Sequence, residues 1–149
     1  MRAGTLLGVF AVVVCVVAGV GAAGSDVADA IERGDLAAAR ALIQKRADVN
    51  AAQNDGATAL HWAVYRNDPQ MLDALLRAGA NAKVANRNGV TPLYMASLYG
   101  SSSMIGQLLK SGADAKAKGP AGETMVMVAA RNGSPDAIKA LLAAGADVN

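Results

Sequence analysis

The chain has 149 residues, with 14 lysines and arginines against 12 aspartates and glutamates, a formal charge of +2. That balance is too small to draw a nucleic acid or an anionic membrane surface by long-range electrostatics. A single cysteine excludes an internal disulfide, and one cysteine with one histidine falls short of the four nitrogen or sulfur ligands that a structural zinc site usually takes.

Residues 1–24 differ from the rest. Arg2 precedes a nearly unbroken apolar run from Leu6 to Val17, which passes into the small residues Ala18-Gly19-Val20-Gly21-Ala22-Ala23-Gly24. A basic start, an apolar centre and a small-residue end make a secretory signal peptide, with cleavage expected after Ala22, Ala23 or Gly24. The alternative is an uncleaved anchor, because Thr5 to Ala23 approaches the roughly 20 residues that span a bilayer. Cys15 lies among valines and reads as a small hydrophobe of the apolar run, not as a lipid-attachment site. Gly19 to Gly24 also spells a dinucleotide-binding fingerprint. That motif works only inside successive βα units, and none follows, so it is discounted. The mature chain is expected outside the cytoplasm, secreted or periplasmic, with a membrane involved only if this segment stays attached.

From Ser25 onward the sequence repeats. Gly56, Gly89 and Gly122 are spaced 33 residues apart, and so are Thr58, Thr91 and Thr124, and Gly79, Gly112 and Gly145. A period of this length marks a stacked repeat protein. The expected units are 25–53, 54–86, 87–119 and 120–149. In each unit a glycine turn comes first, except in the first unit, which starts at Ser25. A threonine or serine then stands where a helix N-cap is needed, and Pro92 falls at the first helical position, which proline tolerates best. The first helix stops at Gly34, Asn67, Gly100 and Gly133, with asparagine the next best residue after glycine for a left-handed backbone. A second helix follows, with apolar residues at helical spacing: Leu72, Leu75 and Leu76, then Ile105, Leu108 and Leu109, then Ile138, Leu141 and Leu142. The first unit places Ala39, Leu42 and Ile43 at the same points. Gly79, Gly112 and Gly145 end these helices as C′ residues, and Arg46 holds that place in the first unit.

These motifs resemble the ankyrin-repeat family. The resemblance is carried by Gly-x-Thr-Pro-Leu-Tyr at 89–94, by Gly-x-Thr-Ala-Leu-His at 56–61, and by Leu-Leu-x-x-Gly-Ala-Asp/Asn at 75–81, 108–114 and 141–147. It covers about Ser25 to Asn149. It implies an all-α solenoid of about four helix-turn-helix units with hairpin-like connecting loops, binding a protein through its loop tips and inner helices. The chain departs from the family pattern at Ala59 and Met125, which replace its proline, and at Tyr94 and Met127, which replace its histidine.

No catalytic constellation stands out, and no cofactor, metal or small-molecule substrate is expected. In the family the histidine at His61 joins neighbouring loops, so it is not read as a general base. Asp55, Asp114 and Asp147 fall in turns, where aspartate bonds its own backbone. Ser101 opens a helix as a cap, Trp62 reads as core, and Met125 and Met127 read as adaptable packing. By resemblance, the residues facing the groove are Asn54, Asp55, Tyr65, Arg66, Arg87, Asn88, Leu98, Tyr99, Glu123, Arg131 and Asn132, with Ala57 and Val90 beside the turn glycines. Tyrosine and arginine are favoured interface anchors. The strip formed by Tyr65, Arg66, Leu98 and Tyr99 suits a partner segment with an apolar residue next to an acidic one. The expected function is a non-catalytic protein-binding module. The alternative is the targeting and repeat portion of a longer enzyme or receptor. The chain is expected as a monomer or as part of a longer chain, because the last helix is apolar where a terminal unit of a stack would be polar.

Overall fold

The computed structural model describes residues 24–149. The expectations for the signal peptide, anchor, lipid site and dinucleotide motif concern residues 1–23 and lie outside that range. Gly24, the last candidate cleavage point, is exposed.

Four helix pairs follow one another: α1 (Asp26–Glu32) with α2 (Leu36–Gln44), α3 (Ala59–Tyr65) with α4 (Pro69–Arg77), α5 (Pro92–Leu98) with α6 (Ser102–Lys110), and α7 (Met125–Arg131) with α8 (Pro135–Ala143). No strand is present among the described residues, only an isolated bridge between Lys118 and Thr124. This is the expected all-α repeat solenoid. Inner helices pack on inner helices (α1, α3, α5, α7), and outer on outer (α2, α4, α6, α8).

The alanine row explains the close stacking. Ala30, Ala63, Ala96 and Ala129 recur once per unit on the inner helices and are at most 1% exposed. A methyl group there lets adjacent helix backbones approach, and the larger side chains fill the layer behind: Leu60, Leu72, Leu75, Leu93, Ile105, Leu108 and Leu141 are all buried.

Each outer helix ends in the same Schellman motif. The C′ amide bonds the C2 carbonyl and the next amide bonds the C3 carbonyl, as in Gly79 to Leu76 (3.1 Å) and Ala80 to Leu75 (3.0 Å). Arg46 makes the same closure to Ile43, with φ at 58°. Asn67 likewise holds φ at 52°.

The helix starts follow the expected chemistry with three exceptions, the first being Thr58, whose hydroxyl pairs with His61 Nδ1 at 3.0 Å in place of a cap bond. Thr91 and Thr124 accept from the third helical amide, at 3.1 Å and 3.2 Å. Ser101 stands at its N-cap without a side-chain cap bond. Ser25 also makes none, because its hydroxyl donates to Asp29 Oδ1 at 2.8 Å.

Candidate partner-binding groove

The inner helices and the loop tips share one face, and the repeat sets four side chains in a row across it. Glu32, Tyr65, Leu98 and Arg131 end α1, α3, α5 and α7 or lie one residue before the cap, and all four are exposed. Tyr65 is 61% exposed and Leu98 44%, a large apolar area to leave open in the middle of a stack. The next residues, Arg33, Arg66, Tyr99 and Asn132, are the C-caps of the same helices. Burial, and then the nearby Tyr65 phenol, push the Tyr99 hydroxyl above its ordinary value. Because α3 and α5 pack side by side and end in the same register, the two tyrosines belong to one patch.

Arg66 and Asn132 lean back onto the preceding unit. A Cβ at Gly34 would lie 2.8 Å from Arg66 Nη2, and one at Gly100 would lie 2.6 Å from Asn132 Nδ2. Arg66 Nη1 also reaches the Glu32 carbonyl at 3.4 Å. Both side chains are exposed, yet each helps join two units.

Trp62 packs against the core, as its sequence reading has it, but it also meets the groove. It is half-buried, and its ring meets Tyr65 edge to face at 5.5 Å and 85°. Its indole Nε1–H donates to Gln53 Oε1 at 2.6 Å. The Gln53 amide nitrogen then donates to Asp29 Oδ1 at 2.7 Å and to Glu32 Oε2 at 2.6 Å. One amide thus holds two carboxylates and the only tryptophan in one network. The bonds from Gln53 and then Ser25 keep the Asp29 carboxyl below its ordinary range, against the opposing effect of burial.

Trp62 separates two clefts. On the side of the first unit, a cleft of about 670 Å³ is lined by Ser25, Asp29, Glu32, Gln53, Asn54, Asp55 and Trp62, among others. On the side of the third unit, one of about 280 Å³ is lined by Asp55, Ala57, His61, Trp62, Tyr65, Asn86 and Met95. The first is acidic and the second largely apolar. Sequence reading missed Asp29, Glu32 and Gln53, although extending the Tyr65 and Leu98 register back by one period lands on Glu32.

At the loop tips Asn54, Asp55, Arg87 and Asn88 are exposed. Asp55 Oδ1 accepts from the Ala57 amide at 2.9 Å, and Asp114 Oδ1 accepts from Lys116 at the same distance, the expected turn bonds. The Arg87 amide donates to the Asp55 carbonyl at 2.9 Å and ties adjacent tips together.

Glu123 does not face the groove. It is 8% exposed, accepting the Tyr94 hydroxyl at 3.0 Å on Oε1 and the Ala121 amide at 2.9 Å on Oε2. Its own backbone amide, with the Tyr94 and Ala121 bonds, holds the carboxyl below its ordinary range. The position after each turn glycine lies under the preceding unit, which also buries Ala57 to 4% exposure. One unit earlier the equivalent bond runs from His61 Nε2 to the Val90 carbonyl at 2.9 Å. Tyrosine at 94 reaches further than histidine, and the Glu123 carboxylate supplies the acceptor that a backbone carbonyl supplies to His61.

His61 has no nitrogen free for catalysis. Nδ1 accepts from the Thr58 amide at 3.1 Å, so the proton resides on Nε2 and is given to Val90. Burial holds the imidazole below its ordinary value, opposed by the Val90 bond and by Asp55. Met125 is fully buried as expected, but Met127 is 40% exposed and Leu142 43%.

The family profile described as Ankyrin repeats (3 copies) matches residues 27–119 and 65–149. No curated protein matches the chain. The chain belongs to the ankyrin-repeat family, whose repeats are generally non-catalytic modules that bind other proteins.

Proposed function

We propose that this ankyrin-repeat chain is a non-catalytic protein-binding module that acts outside the cytoplasm and takes its partner in the inner-helix groove. The observation that carries the reading is the exposed patch of Tyr65, Leu98 and Tyr99 at the centre of the stack. It is flanked by Trp62 and by the tips at Asp55, Arg87 and Asn88. Buried aromatic anchors ringed by polar groups dominate protein interfaces, and this patch has that composition before any partner arrives. The basic, apolar and small-residue order of residues 1–24 supports export, since a secretory signal is built that way.

Two measurements test the two halves of the reading. The Tyr65→Ala/Tyr99→Ala double variant should stay folded and lose partner binding, each truncation costing about 1–3 kcal/mol. A folded double variant that binds normally removes the groove assignment. Cell fractionation of the full-length chain should place it outside the cytoplasm, and cytoplasmic retention of the intact chain removes the proposed location.

A further inference from the structure

We infer that the groove reads charge in order: it takes an extended segment of a partner protein with a lysine or arginine at one end, an apolar middle and a carboxylate at the other. The inference rests on the groove being the binding face. The row Glu32, Tyr65, Leu98, Arg131 is acid, aromatic, aliphatic and base, one residue per unit. Neighbouring helices in such a stack lie about 8–10 Å apart. An extended chain rises about 3.3 Å per residue, so about three partner residues span each unit.

The acidic end is the more fully built. Asp29 and Glu32 both bond the one Gln53 nitrogen, at 2.7 Å and 2.6 Å, and Gln53 is itself fixed by Trp62. An ionised carboxylate has about four acceptor sites, so each keeps capacity for another donor. Among the described residues the ion pairs are Arg77 with Asp73 and Lys139 with Asp136. Neither Asp29 nor Glu32 is in one, although Arg33 caps their own helix and Arg66 caps the inner helix of the next unit. Among the described residues no third histidine, cysteine, aspartate or glutamate joins them as a metal site would need. A side-chain ammonium or guanidinium in the cleft of about 670 Å³ would meet them on one side and Trp62, which lines both clefts, on the other. Carboxylates together with an indole suit an organic cation. Across Trp62, the cleft of about 280 Å³ with Tyr65 and Met95 takes the next apolar side chain. The sequence-based expectation of an acidic residue beside the apolar one is thereby moved to the far end, at Arg131.

The test is selection of binders to the full-length chain from a random linear peptide library, followed by titration read by the fluorescence of Trp62, the only tryptophan. Selected peptides should carry a basic residue two to four positions from an apolar one, with an acidic residue further along on the apolar side. Peptides of the same composition in reversed order should bind at least 10-fold more weakly. The charge-neutralising Asp29→Asn/Glu32→Gln variant should weaken the basic peptides about 10-fold. Raised salt should weaken them on the unchanged protein, which serves if that variant does not fold. Groove binders that Tyr65→Ala weakens but that show no basic preference and no order would overturn this inference and leave the groove reading standing. A selection whose binders are all indifferent to Tyr65→Ala, or that yields no binder, overturns both.

Discussion

Arg46→Gly isolates one backbone angle from everything around it. Arg46 is exposed, makes no side-chain hydrogen bond among the described residues, and holds φ at 58° in a Schellman closure that Gly79, Gly112 and Gly145 make in the other units at 83–91°. A side chain in that conformation costs about 1–2 kcal/mol, which glycine does not incur. Against this, glycine adds unfolded-state freedom worth about 0.5–1 kcal/mol. Removing a cation from a helix C-terminus costs a few tenths of a kcal/mol at an exposed site, roughly 0.3. The net is a gain of about 0.5 kcal/mol, and at most about 1. Urea unfolding followed by circular dichroism at 222 nm should show a higher midpoint with an unchanged slope. Arg46→Ala keeps the Cβ and should show no such gain. Equal stabilisation by alanine and glycine would falsify the backbone argument and point to charge, and a loss of stability with glycine would show that the Arg46 side chain makes a contact worth more than the strain.

The far-ultraviolet spectrum of the folded protein should be helical, and a strand-dominated spectrum refutes the architecture. Gly119→Ala should destabilise by about 1–3 kcal/mol through overpacking, because its Cβ would lie 2.6 Å from Tyr94 Cε2 and 2.8 Å from Glu123 Cδ; an unchanged unfolding midpoint argues against the Tyr94–Glu123 bridge. Burial lowers the His61 pKa from 6.5, so well above pH 6.5 the residue is neutral folded and unfolded and stability does not depend on it. As pH falls below 6.5 the unfolded chain takes up a proton that the fold resists, and stability should fall by up to about 1.4 kcal/mol per pH unit. His61→Gln should flatten the profile as pH falls below about 6.5, and identical slopes in the two proteins remove His61 as the cause. Substitutions on the outer helices, such as Gln70→Ala or Lys139→Ala, should leave partner binding unchanged, and a loss there moves the interface to the opposite face.

The architecture was legible because its determinants are local and recur. A turn glycine, a capping threonine, a helical apolar spacing and a C′ glycine each act within a few residues, and even the exceptions Arg46 and Asn67 took the backbone expected of their places. The site was legible only in part. Tyr65, Leu98 and Tyr99 are exposed as their register implied, because a helix end fixes direction without help from distant residues. Glu123 was misread, and the Trp62 bond to Gln53 missed, because these environments come from other units: a tyrosine 29 residues earlier for the one, a glutamine in the preceding loop for the other. Asp29 and Glu32 escaped notice because the first unit lacks the glycine turn that flags a groove position in the others.

The seams between units are fastened differently: Trp62 to Gln53 for the first, His61 to Val90 for the second, Tyr94 to Glu123 for the third. Stability in such arrays is close to a sum of unit and neighbour contributions, and about three repeats are needed for a stack to persist. Parting at the middle seam leaves two pairs, each below that number, so the His61 latch carries more of the cooperativity than its single bond suggests. Tyr65 and Leu98 lie on opposite sides of the same seam. A partner seated across them acts as a staple, and by linkage its binding should hold the two halves together and raise the unfolding midpoint of the whole stack.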